Sequence, residues 1–398
     1  MRVLLSEASS LTAREYLSLL GPAGVGVDVA ASNGLAIARF SRWCDHLVQV
    51  PRAADDPRGY LDAVAAAIQG GRYDALLPTH ERAWLFAAGR RFLPHDTPVA
   101  VADIDAFDLI EGKVDCARLL DAVGLPQPAW SLVHTPDELR GVQLPCWLKA
   151  PFSTAGRGVR YVTSAEEAAR RFTEVAAGEP VLAQQPASGT YAQVAGLFQH
   201  GRLVAVHTSE QVGTGAGGSA AARLGVDHQQ PRADIERLGR HLGWHGGLTL
   251  DYLHTDGTPC YIEANPRTVE PGNAAASGVD LPGLTIAISR GDTLPAETVV
   301  GRAGVRTHSA LALMLGAAET TGARSSAFAA LAAALTHQGR LRGSREVLTP
   351  LPTDPFALVP LLVVALQLLV QPGRARALAA AAVSDYSVPA AAVDAVRT

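Results

Sequence analysis

The run Tyr261-Ile262-Glu263-Ala264-Asn265-Pro266-Arg267 is the part of this 398-residue sequence where residue type and spacing point most directly to chemistry. Alternate side chains of a strand share a face, which groups Tyr261, Glu263 and Asn265 against Ile262 and Ala264. A second strand-like stretch, residues 247–253, groups Thr249 with Asp251 and opposes them to Leu248, Leu250 and Tyr252. Paired as a hairpin with these polar faces aligned, the two stretches bring together two carboxylates and an amide oxygen. Such a hard-oxygen cradle suits Mg²⁺, with Mn²⁺ as an alternative, because Mg²⁺ binds through one or two carboxylates and substrate phosphates. Ordinary surface acids on a solvated sheet are the competing explanation. Against them, the strand ends in Asn-Pro-Arg in a chain with only three asparagines.

This alignment sets a condition on the turn. A two-residue turn at Asp256-Gly257, the strong type I′ signal, would place Asp251 opposite Ile262 and turn the two carboxylates to opposite faces. The cradle therefore requires an odd-length loop, such as Thr255-Asp256-Gly257, or an even one with a compensating bulge.

Lysine supplies the next clue. Only Lys113 and Lys149 occur, against 32 arginines, and a compact ammonium persists where a planar guanidinium does not fit, as against a phosphate oxygen. Lys149 ends a strand over residues 146–150 and precedes the small-residue loop 151–158, whose backbone N–H groups could line a phosphate. Chance survival on the surface and an ordinary glycine hairpin are the plain alternatives. Arg223, just beyond the Gly-rich stretch 213–219, is a candidate for gripping a carboxylate by a bidentate pair. Glu7 and the pair His80-Glu81 follow parallel strands, whose ends face a binding crevice, although helix capping or exposure would also explain them.

The elements that must hold these residues read as α/β followed by α+β. Strands are expected over residues 3–5, 25–30, 47–50, 74–77 and 99–101, and helices over 12–20, 35–44, 60–68 and 81–92, an alternation that implies a parallel sheet. A helix from Lys113 to Gly124, strands over 146–150, 159–162 and 181–184 and a helix over 165–175 form a second unit. Strands over 191–198, 203–208, 247–253 and 260–264 with a helix over 233–242 form a third, and the chain beyond residue 291 is alanine-rich and helical. No GxGxxG follows the first strand, so a dinucleotide site is unsupported. A formal charge of −4 without long charge runs argues against nucleic acid as a partner. Cys44, Cys116, Cys146 and Cys260 fall in no ligand spacing and the first residues lack a secretory signal, so a cytoplasmic location is expected. The apolar run 356–370 is too short to span a membrane and reads as a buried or interface helix that could pair with its equivalent in a homodimer.

Taken together, these motifs resemble the ATP-grasp superfamily, specifically the carboxylate–amine ligases related to biotin carboxylase and carbamoyl phosphate synthetase. The resemblance covers about residues 1–292 and is most specific at 246–251, 261–267 and 277–282. It implies a pre-ATP α/β domain over 1–110, a small lid subdomain over 111–186, a large subdomain over 187–298 and a C-terminal, mostly helical extension over 299–398. By the same resemblance, Lys113 and Lys149 contact ATP phosphates, Ser153, Gly156 and Gly158 belong to the loop covering them, and Gln184 and Gln185 fall where the hinge reads adenine. Asp251, Glu263 and Asn265 match the Mg²⁺ positions, and Arg267 matches the arginine facing the transferred phosphate. The acid usual near Gln185 and again near Tyr191 is missing, and Glu270 stands where relatives often have a Gly-Ser turn; it could contact an amine or simply face solvent. The implied reaction activates a small-molecule carboxylate as an acyl phosphate and passes it to an amine, with amino acids as candidate substrates. Thiol or bicarbonate chemistry, a carboxylate kinase and a non-catalytic nucleotide-binding protein are the rival readings.

Overall fold

The computed structural model describes residues 1–71, 73–153, 156–176 and 178–397. Strands β1 (Arg2–Leu5), β2 (Gly26–Ala31), β3 (Cys44–Gln49) and β4 (Ala75–Leu77) form a parallel sheet in the order β3-β2-β1-β4. Strands β1, β2 and β4 are buried on both faces, as parallel sheets require, while the edge strand β3 is partly exposed. Val3, Leu5, Val27 and Val29 meet helix Leu11–Leu20, while Leu4, Ala30 and Leu76 meet helix Pro57–Gly71.

Two expected elements of this region are absent. Residues 99–101 form no strand: Pro98 has no N–H to give a ladder, although its carbonyl accepts the Leu76 N–H at 2.9 Å. Residues 35–44 hold only the short turn of helix Ile37–Arg39. Side chains there compete for the backbone: Asn33 Oδ1 accepts the Leu35 N–H at 2.9 Å, and Asp354 accepts the Arg42 N–H at 3.0 Å.

A second, antiparallel sheet runs β5 (Trp130–Val133), β8 (Val181–Gln184), β6 (Cys146–Lys149), β7 (Val159–Val162). Helix Ala165–Ala176 covers it with Ala168, Phe172 and Val175, spaced at the helical repeat.

The third sheet joins β9 (Thr190–Gln199), β10 (Arg202–Thr214), β11 (Ala220–Val226), β12 (Gly246–Thr255) and β13 (Thr258–Asn265) with three short later strands, β14 (Val299–Val300), β15 (Arg306–His308) and β16 (Arg345–Glu346). Helix Gln229–His241 packs Ile235 and Leu238 against Val194, Phe198 and Leu250 on one face. One difference from expectation matters: the stretch 213–219 is largely the β10–β11 connection, with Arg223 on an unforeseen strand. β15 pairs with β11.

Helices Ala310–Thr321, Arg324–Leu335, Leu358–Val370 and Ala375–Tyr386 cluster around Met314, Leu361, Ala365 and Leu368. Helix Leu358–Val370 buries that stripe and leaves Leu362, Leu366 and Val370 exposed. No helix among the described residues is long and apolar enough to cross a membrane.

Candidate active site

The β12–β13 hairpin turns at Asp256-Gly257, both at positive φ (50° and 82°), with Thr255 opposite Thr258. That is the even turn, and a bulge compensates for it. Tyr252 pairs with Tyr261, but Asp251 pairs with Glu263, which leaves Ile262 as the extra residue. The bulge corrects the simple alternation read from the sequence. Tyr261 turns away, its hydroxyl donating to Asp234 Oδ2 at 2.8 Å under helix Gln229–His241, while Glu263 stays opposite Asp251. Asn265, opposite Thr249, donates from Nδ2 to Asp251 Oδ2 at 3.0 Å. Burial, reinforced by the charge of Glu263, pushes the Asp251 carboxyl up to about 7.

Both lysines reach this hairpin. Lys149 Nζ donates to the Ile262 carbonyl at 2.9 Å and to Gln184 Oε1 at 2.7 Å. Burial holds its pKa below the ordinary lysine value, against the pull of Glu263. Lys113 Nζ, on the first residue of helix Lys113–Ala122, donates to the Ser153 carbonyl at 2.8 Å and lies 3.6 Å from Glu263 Oε1. Lys113, Lys149, Gln184, Ile262 and Glu263 thus line one narrow cavity between the second and third sheets, together with Glu111. At Gly158 a Cβ would stand 2.7 Å from that of Ser153, so the loop needs glycine to fold this tightly. Gly156 has φ +70°, and Thr154 and Ala155 of this loop lie outside the described residues. Gln185 is not drawn in: its Nε2 donates to the Gln143 carbonyl at 2.7 Å on the rim.

A second group gathers where the first sheet meets the third. Arg267 is largely buried with Nη2 3.7 Å from Glu81 Oε1, and although burial opposes it, the charges of Glu81 and Glu111 raise its pKa. Arg223 Nη2 donates to Glu270 Oε2 at 2.9 Å, and its Nη1 is buried without a hydrogen-bond partner among the described residues. Behind them Glu15 accepts the Gly272 N–H at 2.7 Å; burial, then the charge of Glu270, pushes its carboxyl up to about 8. His80, at φ 50°, stacks on Tyr386 with ring centroids 4.1 Å apart. Burial, then Arg267, pushes its pKa down to about 4. Glu7 lies at the end of β1, but its carboxylate accepts the N–H groups of Ser9 (2.6 Å) and Ser10 (3.0 Å) and the Thr79 hydroxyl (2.9 Å) at the entry to helix Leu11–Leu20.

No family model matches the chain. Over 177 residues it is 28% identical to the carbamoyl phosphate synthase large chain of Deinococcus deserti, a match covering 39% of this chain and 17% of that one. It superposes on the biotin carboxylase domain of Hydrogenobacter thermophilus 2-oxoglutarate carboxylase, a dimer solved with MgADP and bicarbonate, at a TM-score of 0.60 and 14% identity, covering 77% of this chain and 73% of that one. The chain has the ATP-grasp fold. The L-amino acid ligase of Bacillus licheniformis is a further structural likeness, at a TM-score of 0.55 and 17% identity over 73% of this chain and 74% of that one.

Glu15, Glu111 and Tyr386 belong to the candidate site region without having been legible as such. The one sequence signal was Glu15 itself, an acid on the apolar face of helix Leu11–Leu20. Tyr386 enters only because the C-terminal segment folds back: Arg82 donates to its carbonyl at 3.0 Å, and Arg52 to that of Ser384 at 2.6 Å.

Proposed function

We propose that the protein is an ATP-dependent carboxylate–amine ligase that forms an amide through an acyl phosphate and releases ADP and phosphate. The observation that carries this reading is the convergence of both lysines of the chain on the bulged Asp251–Glu263 hairpin. In this reading residues 1–110 are the pre-ATP domain, 111–186 the lid subdomain, 187–298 the metal-bearing subdomain and 299–398 a C-terminal extension. The exposed apolar stripe of helix Leu358–Val370 is the surface that pairs with a second copy.

Asp251, Glu263 and Asn265 fit Mg²⁺: two facing carboxylates, one buried, leave charge that a hard cation neutralises. When bound, the ion would supply charge neutralisation to the transferring phosphoryl group. Lys113 and Lys149 hold phosphate oxygens. Lys149 is already stripped of water, so exchanging protein oxygens for phosphate adds little desolvation cost. Arg267, kept charged by Glu81 and Glu111, faces the phosphoryl group as it moves to the acid. The loop bearing Ser153, Gly156 and Gly158 closes over the nucleotide and keeps water from the acyl phosphate. Arg223 and Glu270 form an internal ion pair that an amino acid would exchange for two, its carboxylate on Arg223 and its ammonium on Glu270.

ADP release measured against a panel of amino acids and small acids, with mass spectrometry of products, tests the reading. It expects ADP only with a matched acid and amine, and an amide one water lighter than their sum. A stable acyl phosphate, a thioester or carboxylated product, or no ADP with any pair would replace it with the kinase, thiol-ligase or carboxylase, or non-catalytic reading.

A further inference from the structure

Behind the large sheet, on the face away from Asp251, three side chains from separate segments meet. Glu210 comes from β10, His254 from β12, and His228 immediately precedes helix Gln229–His241. Glu210 Oε1 lies 3.1 Å from His254 Nε2 and 3.6 Å from His228 Nε2, and one ligand atom from each of the three lies within 4.8 Å of the others. Two ligands bonded to one tetrahedral Zn²⁺ stand about 3.4 Å apart, from bond lengths near 2.1 Å. The observed separations bracket that value.

We propose that Glu210, His228 and His254 form a binding site for a first-row transition metal ion of the Zn²⁺ class, separate from the nucleotide site. Two imidazoles and one carboxylate suit such ions and disfavour Mg²⁺, which prefers oxygen. His254 is 8% exposed, and its Nε2 is buried without a hydrogen bond among the described residues, aimed at the other two ligands. The hydroxyl of Tyr252 lies 2.9 Å from His228 Nδ1, the outer contact that orients a ligating imidazole and points Nε2 at the ion.

One contact must change on binding. Gly257 N–H donates to His254 Nδ1 at 3.1 Å, whereas ligation through Nε2 places the proton on Nδ1. Gly257 sits in the hairpin turn, where its amide can turn to water. A cleft of about 610 Å³, lined by His228, Asp256, Gly257 and Arg237, leaves a route for water as a fourth ligand. A bound ion would tie β10 and β12 to the start of the helix packed behind them.

Co²⁺ titration of chelator-treated, nucleotide-free full-length protein tests the site. The expected result is a visible ligand-field band saturating at one equivalent, abolished by Zn²⁺, with a rise in Tm. Glu210→Gln and His228→Asn, at partly exposed positions, should each weaken Co²⁺ by about tenfold or more while Glu263→Gln does not. Circular dichroism would confirm that the variants fold. No band in wild type, a band retained in both Glu210→Gln and His228→Asn, or loss in Glu263→Gln alone would overturn the proposal.

Discussion

Lys149 is the residue at which charge and shape can be separated. Its ammonium bridges the Ile262 carbonyl and Gln184 as a compact point donor, a shape that a planar guanidinium fork does not reproduce. Lys149→Arg should therefore lower ATP-dependent turnover by about 100-fold or more despite keeping the charge, read as kcat for ADP release. Glu15 offers a pH test. Its folded pKa, about 8, exceeds the ordinary 4.5, so the stability it contributes is complete below about 4.5 and is lost as pH rises through about 8. Glu15→Gln, which keeps an acceptor for the Gly272 N–H, should flatten that fall in Tm; an unchanged pH profile would show that Glu15 does not titrate there. Glu263, Asn265 and Arg267 are legible in sequence because their chemistry lies in residue type and spacing. The perturbed carboxyls of Glu15 and Glu111 are not, because burial by distant segments creates them.

The bulged hairpin is the element on which the site depends. Asp256-Gly257 is legible as a tight turn, and parity then demands an irregularity, but nothing in the sequence says that Ile262 is the residue pushed out of register. That position follows from Tyr261 being drawn to Asp234 while Glu263 is held opposite Asp251. Gly257 sits at φ +82°, so Gly257→Val should destabilise the protein by ~1–2 kcal/mol in denaturant melts, through Cβ strain in the left-handed region. A smaller loss would mean that the turn can relax. The same limit explains the missed strand β11: its run Ala220–Val226 lacks the polar–apolar alternation that marks a half-buried strand, and its partners β10 and β15 define it only once folded.

At the scale of the molecule, the C-terminal helices reach back to the first sheet, since Ser384 and Tyr386 contact Arg52, Arg82 and His80 beside its strand ends. Tyr386→Ala should uncover His80 and let its pKa rise from about 4 toward 6.5, observable by NMR titration of the ring; an unmoved pKa would show that Tyr386 does not bury it. The β-α alternation of the first sheet and the pairing of β12 with β13 as a hairpin are legible because their periods are local. The docking of the C-terminal helices is not, because a stripe of alanine and leucine fits many surfaces. The central claim, that a carboxylate is activated by phosphoryl transfer, is tested most directly by isotope transfer. With ¹⁸O in both oxygens of the acid, attack on the γ-phosphate makes one of them the acyl-phosphate bridge, and amine displacement breaks the acyl C–O bond. Mass spectrometry should find one ¹⁸O in each phosphate released, in step with amide formed; phosphate carrying no label would contradict the account.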